Sequence, residues 1–262
     1  MDASPARRRA SAAAWQVFAW AGAALFAASV GYFLYRYFVA FGEITAGTPS
    51  PALVAANVAL FSAFALHHSI FARERVRALV ARRVSPAAER SIYVWIASLM
   101  LIGVCALWQP IPGVAWDVRG PAAWALRVVQ LFGVWLTLRG AAVINIWELS
   151  GVSAARLAPD AQRPTPAHDK ANSTTSESGV SGGEFKTEGP YGWVRHPIYL
   201  GWFLLVFTVP LMTMTRLVFA LVSGIYILIA IPLEERSLLR TSGGTYEHYR
   251  RQIRWKLLPG IY

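Results

Sequence analysis

The chain has 262 residues, of which 55% are hydrophobic and only 15% charged, and its net charge is +11. Soluble domains carry roughly 25% charged residues, so this composition excludes an ordinary soluble globule and a disordered chain. The single cysteine, Cys105, excludes an intramolecular disulfide, a Cys-rich zinc module and an iron–sulfur cluster, and we expect no metal site. In so apolar a chain, the excess of basic residues is more typical of membrane topology than of nucleic-acid binding.

Six apolar segments predict an all-α polytopic membrane protein with about six transmembrane helices. These segments are Ala12–Phe41, Ala52–Phe71, Ile92–Trp108, Ala122–Trp147, Ile198–Met212 and Leu217–Leu233. The last two are separated by the short turn Thr213–Arg216, so we expect a C-terminal helical hairpin, followed by an amphipathic tail.

Most lysines and arginines lie in segments that six spans would place on one side of the membrane. They occur before the first span, between the second and third, between the fourth and fifth, and after the sixth. Cytoplasmic loops carry such an excess of Lys and Arg. The sequence therefore predicts an integral protein of the bacterial inner membrane with both termini in the cytoplasm.

The composition divides the chain into three regions. Residues 1–149 form a predicted four-span membrane region, and residues 189–262 contain the predicted hairpin and tail. Residues 150–188 are polar and rich in Ser, Pro, Gly and Thr, which indicates either a flexible cytoplasmic linker or a lid that orders over a ligand.

Groups suited to ligand binding occur at the start of the fifth span, in Arg195-His196-Pro197-Ile198-Tyr199-Leu200-Gly201. Pro197 is typical of the first turn of a helix. A helix start at His196 or Pro197 would direct backbone N–H groups and its positive dipole end at an anion, with Arg195 beside it. Tyr199 offers a ring and a hydroxyl, and Gly201 permits the close approach of a ligand or of another backbone.

Acidic and aromatic groups follow the sixth span. A hairpin would return Glu234 and Glu235 to the membrane side on which Arg195 and His196 lie. Tyr246, Tyr249 and Arg250 are spaced to share one face of a short surface helix.

A pocket formed by this helix start, the two carboxylates and the aromatic rings would suit a zwitterionic ligand with an additional positive centre, for example S-adenosylmethionine. The alternative is purely structural: Arg195 would pair with Glu234 or Glu235 to close the hairpin, and Tyr199 would be an interface aromatic.

The segments GPYGWVRHPIYLGW, EERSLL and GGTYEHYRR resemble the C-terminal signature of the integral-membrane methyltransferases typified by isoprenylcysteine carboxyl methyltransferase and phospholipid N-methyltransferases. The resemblance implies S-adenosylmethionine as the methyl donor. The cofactor contacts that it implies are Arg195, His196, Pro197, Tyr199, Gly201, Glu234, Glu235 and Tyr246.

The segments HHSIFARERVRALV, AAERSIYVWIASLMLIGVCALWQPIPGVAWDV and GWFLLVFTVPLMTMTRLVFALVSGIYILIAIPLEERSL are similar to bacterial methanethiol S-methyltransferases and NnrU-like membrane proteins. This similarity favours a volatile or lipophilic thiol as the acceptor. After the fourth span the chain departs from that pattern, since Glu148-Leu149-Ser150-Gly151-Val152 leads into the polar insertion.

A thiol is methylated as its thiolate, which a neighbouring cation would stabilise. Arg195, His68 and Arg73 are the candidate catalytic residues, since the topology places all three near the cytoplasmic face. Alternatively, His67 and His68 form an interface pair, or one of them acts with His196 as a metal or haem ligand.

The sequence thus predicts methyl transfer from S-adenosylmethionine to a small or lipophilic acceptor, most simply a thiol. O- or N-methylation of an isoprenylcysteine carboxylate or a lipid is the first alternative, and a non-catalytic six-span membrane protein is the second. We expect the acceptor and membrane lipid as partners, and no nucleic acid.

Overall fold

A computed structural model describes the backbone of residues 5–71, 86–144 and 187–262, together with residues 76, 79, 80, 82, 180, 181, 184 and 185. Its helices and strands, numbered in chain order, are α1 (Pro5–Phe38), α2 (Pro51–Phe71), α3 (Pro86–Leu107), β1 (Val114–Asp117), α4 (Pro121–Ile144), β2 (Val180–Ser181), β3 (Glu184–Phe185), α5 (Pro197–Phe207), β4 (Leu211–Thr213) and α6 (Met214–Gln252).

The all-α polytopic prediction is confirmed. Five of the described helices, α1 to α4 and α6, are long and apolar enough to cross a membrane, and α5 is a shorter apolar helix. Each of the six predicted spans overlaps one of these helices. Most of the insertion at 150–188, together with Arg73, Asn145 and Glu148, lies outside the described residues.

The fifth predicted span is helical over only part of its length. α5 has 11 residues, which corresponds to roughly 16 Å, about half of the hydrocarbon core. Thr208 ends this helix and donates its hydroxyl to the carbonyl of Leu204 at 2.6 Å. The chain then runs extended into β4, which pairs antiparallel with β1.

α6 extends well past the predicted sixth span. It has 39 residues, roughly 58 Å, and Pro232 lies inside it. At Gly243 the backbone leaves helical geometry (φ +45°, ψ −118°), which produces a kink that glycine tolerates well. The segment predicted as a separate surface helix is therefore the last part of α6, beyond this kink.

The described residues fall into two compact units. The first contains residues 5–34 and Phe64–Leu107, and its packing includes Trp95 of α3 stacked on Phe18 of α1 at 5.4 Å. The second contains Tyr35–Ala63, Trp108–Ile144 and the described residues from 180 to 262.

The core of the second unit is aromatic, and a buried arginine adjoins it. The rings of Tyr37, Phe41, Phe61 and Trp108 all lie against Phe219. Arg216, in the first turn of α6, donates to the carbonyls of Tyr37, Phe38 and Leu211. Two of these belong to the end of α1, so Arg216 caps that helix and ties α6 to it.

Candidate active site

The candidate site lies in the second unit, where the start of α5 meets α6 and the chain that follows α6. α5 begins at Pro197, as the sequence predicts, and His196 precedes it without a side-chain cap. The N–H groups of Arg195 and His196 donate to the carbonyls of Trp255 and Lys256, both at 2.9 Å. The segment after α6 therefore accepts hydrogen bonds from the main chain just before α5. The sequence does not indicate this contact.

A buried ion pair joins the two ends of the hairpin. The guanidinium of Arg195 donates Nε–H to Glu235 Oε1 at 2.7 Å, and the two residues are only 5% and 7% exposed. Nη1 of Arg195 donates to the carbonyls of Ile253 and Arg254, both at 2.8 Å. The structure thus brings the basic start of α5 next to the acidic residues after the predicted sixth span, as the hairpin prediction required, but these residues lie in the interior of α6. Arg195 is engaged by three acceptors of the protein itself.

His196 lies between the two glutamates. Its Nε2 is 3.4 Å from Glu235 Oε1 and its Nδ1 is 3.8 Å from Glu234 Oε2. Tyr199 stacks on the His196 ring at 5.4 Å and donates its hydroxyl to Glu234 Oε2 at 3.0 Å. Arg195, Glu235, His196, Glu234 and Tyr199 therefore form one polar network, which we call the α5–α6 network.

Two buried tyrosines of α6, Tyr246 and Tyr249, follow the kink at Gly243. Tyr246 and Tyr249 pack with Leu238, and the phenol of Tyr246 interacts with the carboxylate of Glu235. Tyr249 donates its hydroxyl to the carbonyl of Tyr191 at 3.0 Å. Arg250 is exposed and pairs with Glu247. The prediction of one shared face is thus wrong for Arg250, because the tyrosines point inward and the arginine outward.

The chain after α6 forms a short tail, residues 253–262, which packs against α6 and folds back on itself. Leu257 is 3% exposed and packs with Ile227 and Ile231 of α6. The N–H groups of Lys256, Leu257 and Leu258 all converge on the carbonyl of Tyr262 at 2.9–3.1 Å. This tail supplies the four carbonyls that bind Arg195 and His196.

Comparisons with known proteins show which family the chain resembles. Residues 173–240 match the family described as isoprenylcysteine carboxyl methyltransferase. A methanethiol S-methyltransferase of Crocosphaera subtropica is 37% identical over 199 residues, which cover 75% of this chain and 71% of that protein. A methanethiol S-methyltransferase of Mycobacterium tuberculosis is 37% identical over 207 residues, covering 79% of this chain and 78% of that protein.

The chain belongs to the methanethiol S-methyltransferase family. It is therefore an integral-membrane methyltransferase, and the resemblance stated from its sequence is confirmed. No solved structure matches the chain. The matched family segment contains the whole α5–α6 network and ends before the tail.

Two of the residues expected in the cofactor site of this methyltransferase, Pro197 and Gly201, pack against α4. A methyl group placed on Gly201 would lie 2.6 Å from the carbonyl oxygen of Gly133 and would also meet the side chain of Thr137. Pro197 lies next to Gly140 of α4. The sequence left open whether a ligand or a backbone approaches Gly201, and the structure shows a backbone there.

The structure describes one of the other two expected catalytic residues, His68. His68 belongs to the first unit, where its Nδ1 is hydrogen-bonded to the hydroxyl of Tyr93 at 2.7 Å. Arg73 lies outside the described residues. Sequence reasoning missed the tail carbonyls and Tyr191, although Tyr191 belongs to the GPY segment that carries the resemblance.

Replacing Leu257 with alanine should loosen the tail. We expect the free energy of unfolding to fall by about 2–5 kcal/mol, since a buried leucine side chain is lost, and cofactor affinity to fall with it. Thermal unfolding in detergent and equilibrium binding of S-adenosylmethionine would measure both. Leu258→Ala is the matched control, because Leu258 is 38% exposed. Equal cofactor affinity in a folded Leu257→Ala protein would contradict a role of the tail in the site.

Proposed function

We propose that this methyltransferase transfers the methyl group of S-adenosylmethionine to a small thiol, with methanethiol as the first candidate. The observation that supports this most directly is the composition of the α5–α6 network. It contains two carboxylates, Glu234 and Glu235, and one guanidinium, Arg195, with the His196 imidazole between the carboxylates. The relatives that carry the name methanethiol S-methyltransferase point to the acceptor.

The network suits a cationic methyl donor. The guanidinium of Arg195 balances one carboxylate, so with a neutral His196 the network carries a net negative charge. S-adenosylmethionine has a sulfonium and an ammonium group, which an acidic and aromatic surface attracts. Its ribose hydroxyls and amino group are donors that a carboxylate accepts. When bound, this cofactor supplies a methyl group activated by the sulfonium charge.

The cofactor-binding residues fall into two roles under this proposal. Glu234, Tyr199 and His196 contact the ligand, because the Glu234 side chain is the more accessible of the two carboxylates. Arg195, Glu235 and Tyr246 hold these groups in position. Pro197 and Gly201 set the distance between α5 and α4.

The acceptor must reach the reaction as a thiolate. A free thiol has a pKa near 8.5, so at neutral pH it is mostly protonated and needs a group that takes or stabilises its proton. Arg195 was one candidate cation, but its guanidinium is engaged by Glu235 and two carbonyls. His68 and Arg73 stay predictions for this role.

We also propose that the protein resides in the bacterial inner membrane, with both termini cytoplasmic and with lipid around its long helices. The clustering of arginine and lysine in alternate loops supports this orientation. Labelling of cysteines introduced at Ser4 and at Arg119 in intact cells would test it. We expect only the Arg119→Cys site to react with an impermeant reagent, and labelling of Ser4→Cys instead would refute the orientation.

Methyl-transfer assays with labelled S-adenosylmethionine would test the activity. Purified protein should bind the cofactor, and S-adenosylhomocysteine should compete for the same site. Thiol, carboxylate and amine acceptors are then compared, and we expect methanethiol to give the highest turnover. Absence of cofactor binding would refute the donor assignment, and a carboxylate or amine as the preferred acceptor would refute the thiol assignment.

A further inference from the structure

The last part of α6 and the tail carry an excess of positive charge. From Arg236 to Tyr262 the sequence has six basic residues and one acidic residue, Glu247. Glu247 pairs with Arg250 at 3.0 Å and lies 3.7 Å from the guanidinium of Arg251. One carboxylate cannot balance six cationic groups, so this part of the second unit is suited to an anionic partner.

The tail lies at the level of the membrane edge. Leu257 is buried against Ile227 and Ile231 of α6. Both isoleucines belong to the predicted sixth span, Leu217–Leu233, and at 1.5 Å per residue they lie roughly 9 and 3 Å before its end. The tail therefore borders the end of the hydrocarbon core instead of extending away from it.

The end of α6 and the tail expose side chains of the kind found at membrane interfaces. Trp255, Leu258 and Ile261 are exposed, and Ile261 has the largest exposed fraction, 78%. Arg251 and Arg254 are exposed as well. We call these five side chains the outer face. Apolar and aromatic groups at this depth enter the boundary of the acyl chains, and arginines bind lipid phosphates.

Two residues of the outer face also hold the α5–α6 network. The carbonyl of Arg254 accepts a hydrogen bond from Arg195 Nη1 at 2.8 Å, and the carbonyl of Trp255 accepts one from the Arg195 N–H at 2.9 Å. The side chains of Arg254 and Trp255 are exposed while their carbonyls bind Arg195. A contact that fixes these two residues at the surface therefore also fixes two hydrogen-bond acceptors of Arg195.

We propose that the outer face binds acidic phospholipid of the surrounding bilayer, and that this contact strengthens cofactor binding. The lipid phosphates neutralise the two arginines, and the three apolar side chains enter the acyl boundary. A lipid surface that binds the ordered tail better than a displaced one favours the ordered tail, and with it the hydrogen bonds of Arg195. The proposal rests on the proposed cofactor site, because cofactor affinity is one of its readouts.

Equilibrium binding in nanodiscs of two compositions is the first test. The full-length protein is placed in phosphatidylcholine, with or without phosphatidylglycerol. S-adenosylhomocysteine is the probe, because it has no sulfonium charge that an anionic surface would concentrate. We expect its Kd to be about fivefold lower with phosphatidylglycerol, the effect of roughly one arginine near such a surface. The double variant Arg251→Gln, Arg254→Gln should have the same Kd in both lipids.

Arg119→Gln is the matched control. Arg119 is an exposed arginine in the segment between β1 and α4, so this variant should keep the full lipid effect. Arg251 and Arg254 are exposed too, so the double variant should fold with the packing of Leu257 intact. A lipid effect that persists in the double variant, or equal affinity of the wild type in both lipids, would overturn the proposal.

Fluorescence quenching tests the lipid contact without the cofactor. A bimane label is attached to Ile261→Cys, since the native Cys105 is buried. We expect brominated phosphatidylglycerol to quench it more than brominated phosphatidylcholine, and this difference to vanish when Arg251 and Arg254 are also replaced by glutamine. Equal quenching by both lipids would refute the lipid contact. If S-adenosylhomocysteine binds in neither lipid, the proposed cofactor site fails, and quenching still decides whether the outer face binds acidic lipid.

Discussion

Replacing Glu235 with glutamine should reduce cofactor affinity about 100-fold and destabilise the protein by about 3–5 kcal/mol. The carboxylate is buried against Arg195, and removing one partner of a buried ion pair leaves the other charge uncompensated. Binding of S-adenosylmethionine and thermal unfolding in detergent would measure the two effects. Glu247→Gln is the matched control, since Glu247 lies on the same helix in a surface ion pair with Arg250.

The double variant Arg195→Met, Glu235→Gln separates a structural pair from a cofactor site. Both charges are removed, so much of the stability should return, as it does when buried ion pairs are replaced by neutral groups. We expect cofactor binding to stay low, because His196 then lacks the Glu235 carboxylate that holds it beside Glu234. Recovery of methyl transfer in the double variant would show that the pair only closes the hairpin.

Replacing Gly201 with alanine should disrupt the contact between α4 and α5. The added methyl group would lie 2.6 Å from the carbonyl oxygen of Gly133 and 2.8 Å from the backbone nitrogen of Thr137. Backbone atoms cannot move aside as a side chain can, so the helices must separate. We expect a loss of about 3 kcal/mol in the free energy of unfolding, or failure to fold, as judged by thermal unfolding and size-exclusion chromatography.

Gly31→Ala and Gly103→Ala are the controls for this prediction. Both glycines lie within helices, and a methyl group at either position meets nothing within 4 Å. Alanine is the better helix former by roughly 1 kcal/mol, so these variants should be neutral or more stable. A Gly201→Ala protein of normal stability that no longer binds the cofactor would instead support the ligand contact that the resemblance implies.

The positions of the helices could be predicted from hydropathy. The proximity of Arg195 and Glu235 could also be predicted, because a helical hairpin returns the chain to the membrane side from which it started. Pro197 marks the start of α5 correctly, since its fixed φ favours the first helical turn. The tail could not be predicted. It binds Arg195 and His196 through main-chain carbonyls. Every residue has a carbonyl, so the pattern of side chains in the sequence cannot reveal such a contact.

Other differences arise from tertiary partners that are remote in sequence. α5 ends early because the residues that follow it lead into a pairing with β1, whose strand is only four residues long and has no regular alternation of burial. The role of Gly201 depends on Gly133, which lies on another helix. His67 could be singled out from its position in a span, but its lack of a hydrogen-bond partner among the described residues is visible only once α3 is packed against the end of α2.

The hydrogen bonds from Arg195 and His196 to Trp255 and Lys256 also constrain the order of biogenesis. All six described apolar helices precede these carbonyls, so the translocon can insert each of them before residues 253–262 leave the ribosome. The hydrogen bonds of Arg195 and His196 form only afterwards, once Trp255 and Lys256 have emerged. A nascent chain arrested just after α6 would therefore lack these two hydrogen bonds, although its helices can already be inserted in the bilayer.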